Sequence, residues 1–291
     1  SVASYSFFSS TKPDPGTYVC TGQLINNTAV DGRRLFLTAN HCIETNDEAG
    51  AMVLYFNDQA LQCGSQQTQA RTTISGGANL LMTRADNDLT LLEIRAPIPS
   101  GAQVHYSGWD ARNLEPTDVV SIHHPLGLLK KISRSAQSTS ATPYGTSDTS
   151  GPQSQRRYLR VPRWTQGTTE GGSSGAGLWT TDRRIVGVLS GGSAACAGSQ
   201  PNSEPDWYSR LHTAWNGGDA CTSLSAHLDA DVTGSLIQAG TDAPPNTPGM
   251  LPVRTPCATT SVSGDSGGLP APMLLGVFLL AVMMRSGLRR Y

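Results

Sequence analysis

The chain has 291 residues, a formal net charge of −1 and only 15% charged side chains, so there is no electrostatic case for nucleic acid as its main partner. Glycine (31) and proline (18) are plentiful and no long amphipathic helical pattern stands out. That profile predicts an all-β fold of short strands joined by loops, in one large or two modest domains. Six cysteines without a Cys-x-x-Cys pair argue against zinc and for disulfides in an oxidising compartment. No metal and no cofactor is expected. Ser1 runs into ordinary domain sequence, so a targeting segment is expected to have been removed or to lie outside this chain.

In chain order, residues 17–25 and 33–38 read as two apolar strands around an Asn/Gly-containing turn. Residues 52–56, 71–75, 79–83 and 89–94 read as four more. Pro97-Ile98-Pro99-Ser100-Gly101 breaks the pattern and marks the crossing between two halves. Residues 119–123, 128–133, 158–161, 177–180 and 185–190 supply strands for the second half. The Ser/Thr/Gly-rich stretch 135–155 reads as a long surface loop. Residues 222–228 read as a short helix, with Leu224 and Leu228 on one face.

Beyond residue 241 the composition changes. Residues 242–268 form a Pro/Gly-rich linker that ends in Gly267-Gly268, and residues 269–291 an apolar tail carrying Arg285, Arg289 and Arg290. The apolar run 273–284 is short for a spanning helix. Its terminal position and arginine closure favour a membrane tail with the basic end on the cytoplasmic side.

Three motifs carry chemistry. Gly167 to Leu178 is a glycine-dense turn between strand-like runs, in which a serine hydroxyl can be exposed while nearby backbone N–H groups converge on one point. His41 follows the apolar strand Phe36-Leu37-Thr38-Ala39-Asn40 and precedes Cys42. Asp88 opens Asp88-Leu89-Thr90-Leu91-Leu92, where a desolvated carboxylate can orient an imidazole. The order His, Asp, Ser is that of chymotrypsin. Gly171-Gly172-Ser173-Ser174-Gly175 also satisfies Gly-x-Ser-x-Gly with Ser173 central, the nucleophile elbow of α/β-hydrolases. That reading needs a helix after the turn and would leave Asp206 with His212 or His227 downstream. His123-His124 are expected to be core or loop histidines, because adjacent strand residues face opposite ways. Trp164 and Trp215 are read as packing residues, and Glu170 as a solvated loop acid.

With these residues in view the chain resembles the chymotrypsin-like serine proteases, and among them the bacterial lysyl endopeptidases. The likeness runs from about residue 17 to 241. It rests on Cys20-Thr21-Gly22, Leu37 to Cys42, Asp88 to Glu93, Ile122-His123-His124-Pro125, Thr169 to Gly175, Ser190-Gly191-Gly192, Cys196 and Trp215-Asn216-Gly217-Gly218. The resemblance implies two six-stranded antiparallel β-barrels with a short C-terminal helix. It implies His41 as general base, Asp88 as its orienting acid, Ser174 as nucleophile, and backbone N–H groups of Gly172 and Ser174 as the oxyanion hole. Residues 1–241 would be the protease domain, lacking its N-terminal start.

For specificity, Ser190, Gly191 and Gly192 would pair with the substrate backbone, and Asp206 would attract a Lys or Arg side chain from the pocket floor. Thr168, six residues before Ser174, stands where trypsin has its acid and is neutral. Ser190 stands where the subgroup can carry a histidine. Ser173 replaces the Asp that animal enzymes pair with a freed N-terminus, so that ion pair is not available here. Gly177 stands where relatives often have Pro.

The family also implies a Cys20–Cys42 disulfide, and partners for Cys63 and Cys196 upstream of Ser1. Cys221 and Cys257 are left to clip the linker to the last helix. The expected protein is a secreted or cell-surface bacterial serine endopeptidase acting after Lys or Arg on protein or peptide substrates. It is expected to be a monomer held transiently in the membrane by a Gly-Gly type sorting tail. The alternative is a catalytically inactive, protease-like binding module.

Overall fold

A computed structural model describes residues 1–196 and 203–242. Most of the linker, Gly267-Gly268, the apolar run and Cys257 lie outside the described residues. The first half contains β1 (Val2–Ser9), β2 (Gly16–Leu24), β3 (Leu35–Thr38), β4 (Val53–Phe56), β5 (Thr72–Ile74), β6 (Ala78–Arg84) and β7 (Leu89–Ile94). These form one seven-stranded sheet in the order β5-β4-β1-β2-β3-β7-β6, every neighbouring pair antiparallel. Sequence reading missed β1, although Ala3, Tyr5, Phe7 and Ser9 alternate onto one buried face. Its serines dilute the strand signal, and pairing with β2 on one side and β4 on the other supplies what local propensity lacks. Burying Tyr5, Phe7, Phe36 and Phe56 stabilises this half by roughly 2–3 kcal/mol per side chain.

After residues 97–101 the chain enters the second half. Its strands are β8 (His105–Tyr106), β9 (Gly108–Asp110), β10 (Val119–His123), β11 (Lys131–Ser135), β12 (Ser140–Thr142), β13 (Tyr158–Val161), β14 (Gly177–Trp179), β15 (Arg184–Gly192), β16 (Asp206–Arg210), β17 (Ile237–Gln238) and β18 (Thr241–Asp242). Nine of them form the second sheet: β11-β10-β14-β15-β16-β13-β12 in order, with β9 beside β15 and β17 beside β9. A smaller core of Val119, Leu159, Val161, Leu178 and Tyr208 lies beneath it.

The all-β architecture of mostly antiparallel sheets with few helices is as the sequence implied; the strands fall into sheets of seven, nine and two, the last being β8 with β18. Helices are short: α1 (Asn46–Gly50), capped by the reciprocal Thr45 and Glu48 pair, α2 (Leu211–Ala214) and α3 (Ser225–Leu228). Leu224 and Leu228 are fully buried, as their spacing predicts. Among the described residues no helix is long and apolar enough to cross a membrane.

The halves are joined by hydrogen bonds. Gln23 of β2 is fully buried; its amide donates to Leu37 O (2.9 Å) and Gly175 O (3.2 Å), and its Oε1 accepts from Gly177 N–H (2.6 Å). Ser209 Oγ of β16 donates to Asp88 O at 3.1 Å. The turn after β6 is pinned through Asn87, whose Nδ2 donates to Arg210 O and whose Oδ1 accepts from Thr213 Oγ1 (2.7 Å). The segments bearing His41, Asp88 and Ser174 therefore meet where the sheets touch.

Candidate active site

Strand β3 ends at Thr38, and the disulfide Cys20–Cys42 ties the residue after His41 back to β2. Lys12, in the β1–β2 turn, donates to His41 O at 2.8 Å and pairs with Glu44 at 3.1 Å, fixing the same segment from outside. Asp88 immediately precedes β7 in a left-handed conformation (φ 47°), a strained backbone held by the pinned turn before it. Its Oδ1 accepts the His41 backbone N–H (2.8 Å), and its two oxygens lie 3.1 and 2.9 Å from His41 Nδ1. One carboxylate thus sets the imidazole's position and its tautomer, with the Nδ1 proton facing Asp88. Burial lowers the His41 pKa, but the charge and hydrogen bond of Asp88 outweigh it and the net displacement is upward. The other ring nitrogen, Nε2, lies 3.7 Å from Cys42 Sγ.

The glycine-dense turn separates the two candidate serines. Ser173 has no accessible surface and its Oγ lies 2.7 Å from His123 Nδ1, whereas Ser174 is half-buried. After the turn comes β14, not a helix, so the elbow arrangement with Ser173 as nucleophile is not what this chain builds. Ser174 is anchored by its backbone, its carbonyl accepting Thr21 N–H at 2.8 Å while Gly175 N–H donates to Leu189 O at 2.8 Å. Gly175 sits at φ 86°, and a Cβ there would lie 2.1 Å from Thr21 O and 2.2 Å from Thr38 Oγ1. That close approach packs the turn against the strand leading to His41. Among the described residues the Ser174 hydroxyl makes no hydrogen bond, to His41 or to any other group.

Two N–H groups of the turn are aimed by their peptide planes. In a trans peptide the C=O and N–H point oppositely. Gly171 O accepts from Leu126 N–H (2.6 Å), which turns Gly172 N–H the other way; Ser173 O accepts from Ala176 N–H (3.0 Å), which does the same for Ser174 N–H. Ser173 N–H, between them, is used by Glu170 O at 3.0 Å. Among the described residues the N–H groups of Gly172 and Ser174 meet no protein acceptor.

The specificity candidates are brought together on neighbouring strands. Gly192 pairs with Asp206 and Gly191 with Trp207, while Ser190 falls in a bulge between paired positions. A Cβ at Gly192 would lie 2.3 Å from Asp206 Oδ1, so only glycine leaves room beside the carboxylate. Ser190 Oγ lies 2.8 Å from Ser209 Oγ, which reaches on to Asp88 O. Asp206 is buried at the start of β16, and its Oδ2 accepts from Trp164 Nε1 (2.7 Å) and Thr169 Oγ1 (2.5 Å). Burial pushes its pKa up to about 6, against the opposing pull of these hydrogen bonds. Trp164 is therefore buried, as expected, and also a donor to Asp206. Trp215 packs on Trp109 with ring centroids 4.7 Å apart.

Glu170 is not simply solvated: its Oε1 accepts the Cys196 N–H. Cys63 and Cys196 are exposed. Cys221 is in a disulfide; the expected pairing with Cys257 lies outside the described residues.

Sequence reading did not single out Tyr144, which it placed in a surface loop. Its ring lies tilted against Trp207 (centroids 5.6 Å apart) and edge-on to Tyr158 (5.3 Å). Burial, then the charges of Asp88 and Asp206, push its phenol up to about 12. A lone Tyr in Ser/Thr-rich sequence was the available signal.

Residues 2–209 match the family described as lysyl endopeptidase, C-terminal domain. The chain belongs to that family. It is 35% identical over 204 residues to a lysyl endopeptidase of Pseudomonas aeruginosa, covering 67% of this chain and 42% of the relative. The chain thus spans less than half the length of the curated relative it matches. Solved structures similar to it include an HtrA-type protease, AlgW, with tripeptide (15% identity, TM-score 0.42, covering 72% of this chain and 56% of that one). Another is the Rv3671c protease from M. tuberculosis in its active form (16% identity, TM-score 0.46, covering 77% and 86%).

Proposed function

We propose that this chain is a serine endopeptidase that hydrolyses peptide bonds on the carboxyl side of lysine. His41 takes the Ser174 proton at Nε2, and Ser174 Oγ attacks the peptide carbonyl. The oxyanion is received by the N–H groups of Gly172 and Ser174, and Asp88 stabilises the imidazolium. His41 then protonates the leaving amine, and water hydrolyses the acyl-enzyme with the same base. The observation that carries this reading is the Asp88-held imidazole in the same junction as the N–H groups of Gly172 and Ser174, which among the described residues have no protein acceptor.

Asp206 suits a Lys or an Arg side chain alike; the chain's own composition favours lysine as the recognised residue. It has three lysines against eighteen arginines. Lys12 precedes Pro13 and is held by His41 O and Glu44. Lys130 bonds Gln59 Oε1 at 2.9 Å, with burial drawing its pKa down to about 8, and Lys131 lies in β11, paired with His123. A protease that cuts after lysine and outlasts its own activity benefits from such scarcity.

Cleavage of a mixed peptide library by the wild type and by Ser174→Ala tests the reading. Cuts after Lys that vanish in the variant are expected; serine-independent cuts would overturn it. The second reading, a catalytically silent binding module, is favoured by the missing hydrogen bond between Ser174 and His41. Such bonds tighten when substrate binds, and no cleavage by correctly disulfide-bonded protein would decide for the module. We read the linker and arginine-closed tail as a sorting signal that holds a secreted bacterial protein transiently at the membrane. Fractionation of cells expressing the chain with and without residues 269–291 tests that; unchanged partitioning would contradict it.

A further inference from the structure

The mechanism above leaves several buried histidines unused, and one of them touches the nucleophile turn. His123, at the end of β10, has no accessible surface, and its Nδ1 lies 2.7 Å from Ser173 Oγ and its Nε2 3.0 Å from Ser133 Oγ on the adjacent β11. Ser173 Oγ also accepts Glu170 N–H at 3.2 Å, and Ser133 Oγ donates to Thr168 O at 2.9 Å.

The ends of this chain of contacts are a backbone donor and a backbone acceptor, so every proton between them is directed. Glu170 N–H donates to Ser173 Oγ, whose own proton must go to His123 Nδ1. His123 therefore carries its proton on Nε2 and donates it to Ser133 Oγ, and Ser133 donates to Thr168 C=O. Four hydrogen bonds use every available proton, and the imidazole is neutral. A small relay between two strands thus grips the turn at Thr168, Glu170 and Ser173.

Ser173 lies between the two donor residues: its C=O shares a peptide plane with Ser174 N–H, and its own N–H belongs to the peptide that joins it to Gly172. We propose that His123 is a positioning residue for catalysis: through Ser173 it locks the turn so that the N–H groups of Gly172 and Ser174 point together at the reacting oxygen. The inference rests on the Ser174 reading above. It gives the neutral pair Ser173–His123 the task that a buried ion pair at this place would otherwise perform, with groups that come together as the chain folds.

The test compares Ser173→Ala, His123→Phe and His123→Asn with wild type, measuring kcat and KM on a lysyl peptide per active site titrated with a fluorophosphonate. Loss of an aligned oxyanion donor lowers kcat about 10²- to 10³-fold, so Ser173→Ala and His123→Phe are expected to fall by that factor with KM changed less than about threefold. His123→Asn keeps an acceptor near the Nδ1 position and is expected to recover roughly tenfold of the loss. Fewer titratable sites with unchanged kcat per site would mean that His123 only supports folding, and would overturn the proposal.

Activity surviving Ser174→Ala would instead sink the nucleophile assignment. The relay is then read without activity, from amide exchange at Glu170: acceleration of about tenfold or more in Ser173→Ala supports it. An unchanged Glu170 rate in folded protein overturns it.

Discussion

Replacing Asp206 by Asn tests the pocket by its cost as well as by its use. The Asp206 carboxyl is lifted from an ordinary value of 3.8 to about 6, chiefly by burial. At neutral pH, holding it ionised costs the folded protein about 3 kcal/mol. The sign follows from the upward displacement. The folded state favours the protonated acid, so this group's contribution is fully present below about pH 4 and is lost as pH rises through about 6.

Asn has no such titration. Its amide also faces a hydrogen-bond mismatch, because Trp164, Thr169 and the Ala194 backbone all donate to the Asp206 carboxylate. That offset is about 1–3 kcal/mol. It does not depend on pH, so the measurable quantity is the change in the stability difference. Urea unfolding at pH 4 and pH 8 should show Asp206→Asn gaining about 3 kcal/mol relative to wild type between those values. Over the same variants, kcat/KM for a lysyl peptide should fall about 10²- to 10³-fold, with a norleucyl analogue nearly unaffected. A stability difference that stays flat with pH, or an equal loss on both peptides, would refute the assignment of Asp206 as a buried pocket charge.

Further outcomes follow from the same geometry. Asp88→Asn should lower kcat/KM by about 10⁴-fold and move the acid limb of the residual pH–rate profile to lower pH, since Asp88 is what raises the His41 pKa. His123 and His124 are both drawn down to about 4 by burial, so their contribution to stability is present above about pH 6.5 and lost as pH falls through 4. Each should remove about 3 kcal/mol over that window, and denaturation of His124→Asn against wild type at pH 7 and pH 4 should show one such share missing. Removing the Cys20–Cys42 bond should cost about 3 kcal/mol of unfolding free energy for its 22-residue separation. Gly175→Ala, which forces a Cβ against Thr21 O, should destabilise by about 3 kcal/mol or more and abolish cleavage, read by thermal melting and peptide assay.

How much of this was legible beforehand depended on whether the signal was local. The strand before His41, the acid just before β7 and the glycine turn each announce themselves within a few residues, and the structure brings their elements to one junction. Strand β16 did not, because Pro205, Asp206 and Arg210 are poor strand formers; pairing with β13 and β15 imposes the conformation. Strand β12 was hidden in Ser/Thr-rich sequence for the same reason. The His123 relay joins residues 50 apart in sequence, and nothing in either motif specifies the other. Tyr144 depends likewise on a tertiary approach to Trp207.

The central claim is that Ser174 is a nucleophile activated by His41. Its most direct test is mass-spectrometric mapping of the full-length, disulfide-bonded protein after reaction with a fluorophosphonate. The account predicts a single adduct on Ser174 that is lost in His41→Ala. An adduct on Ser173, or none on folded protein, would contradict it.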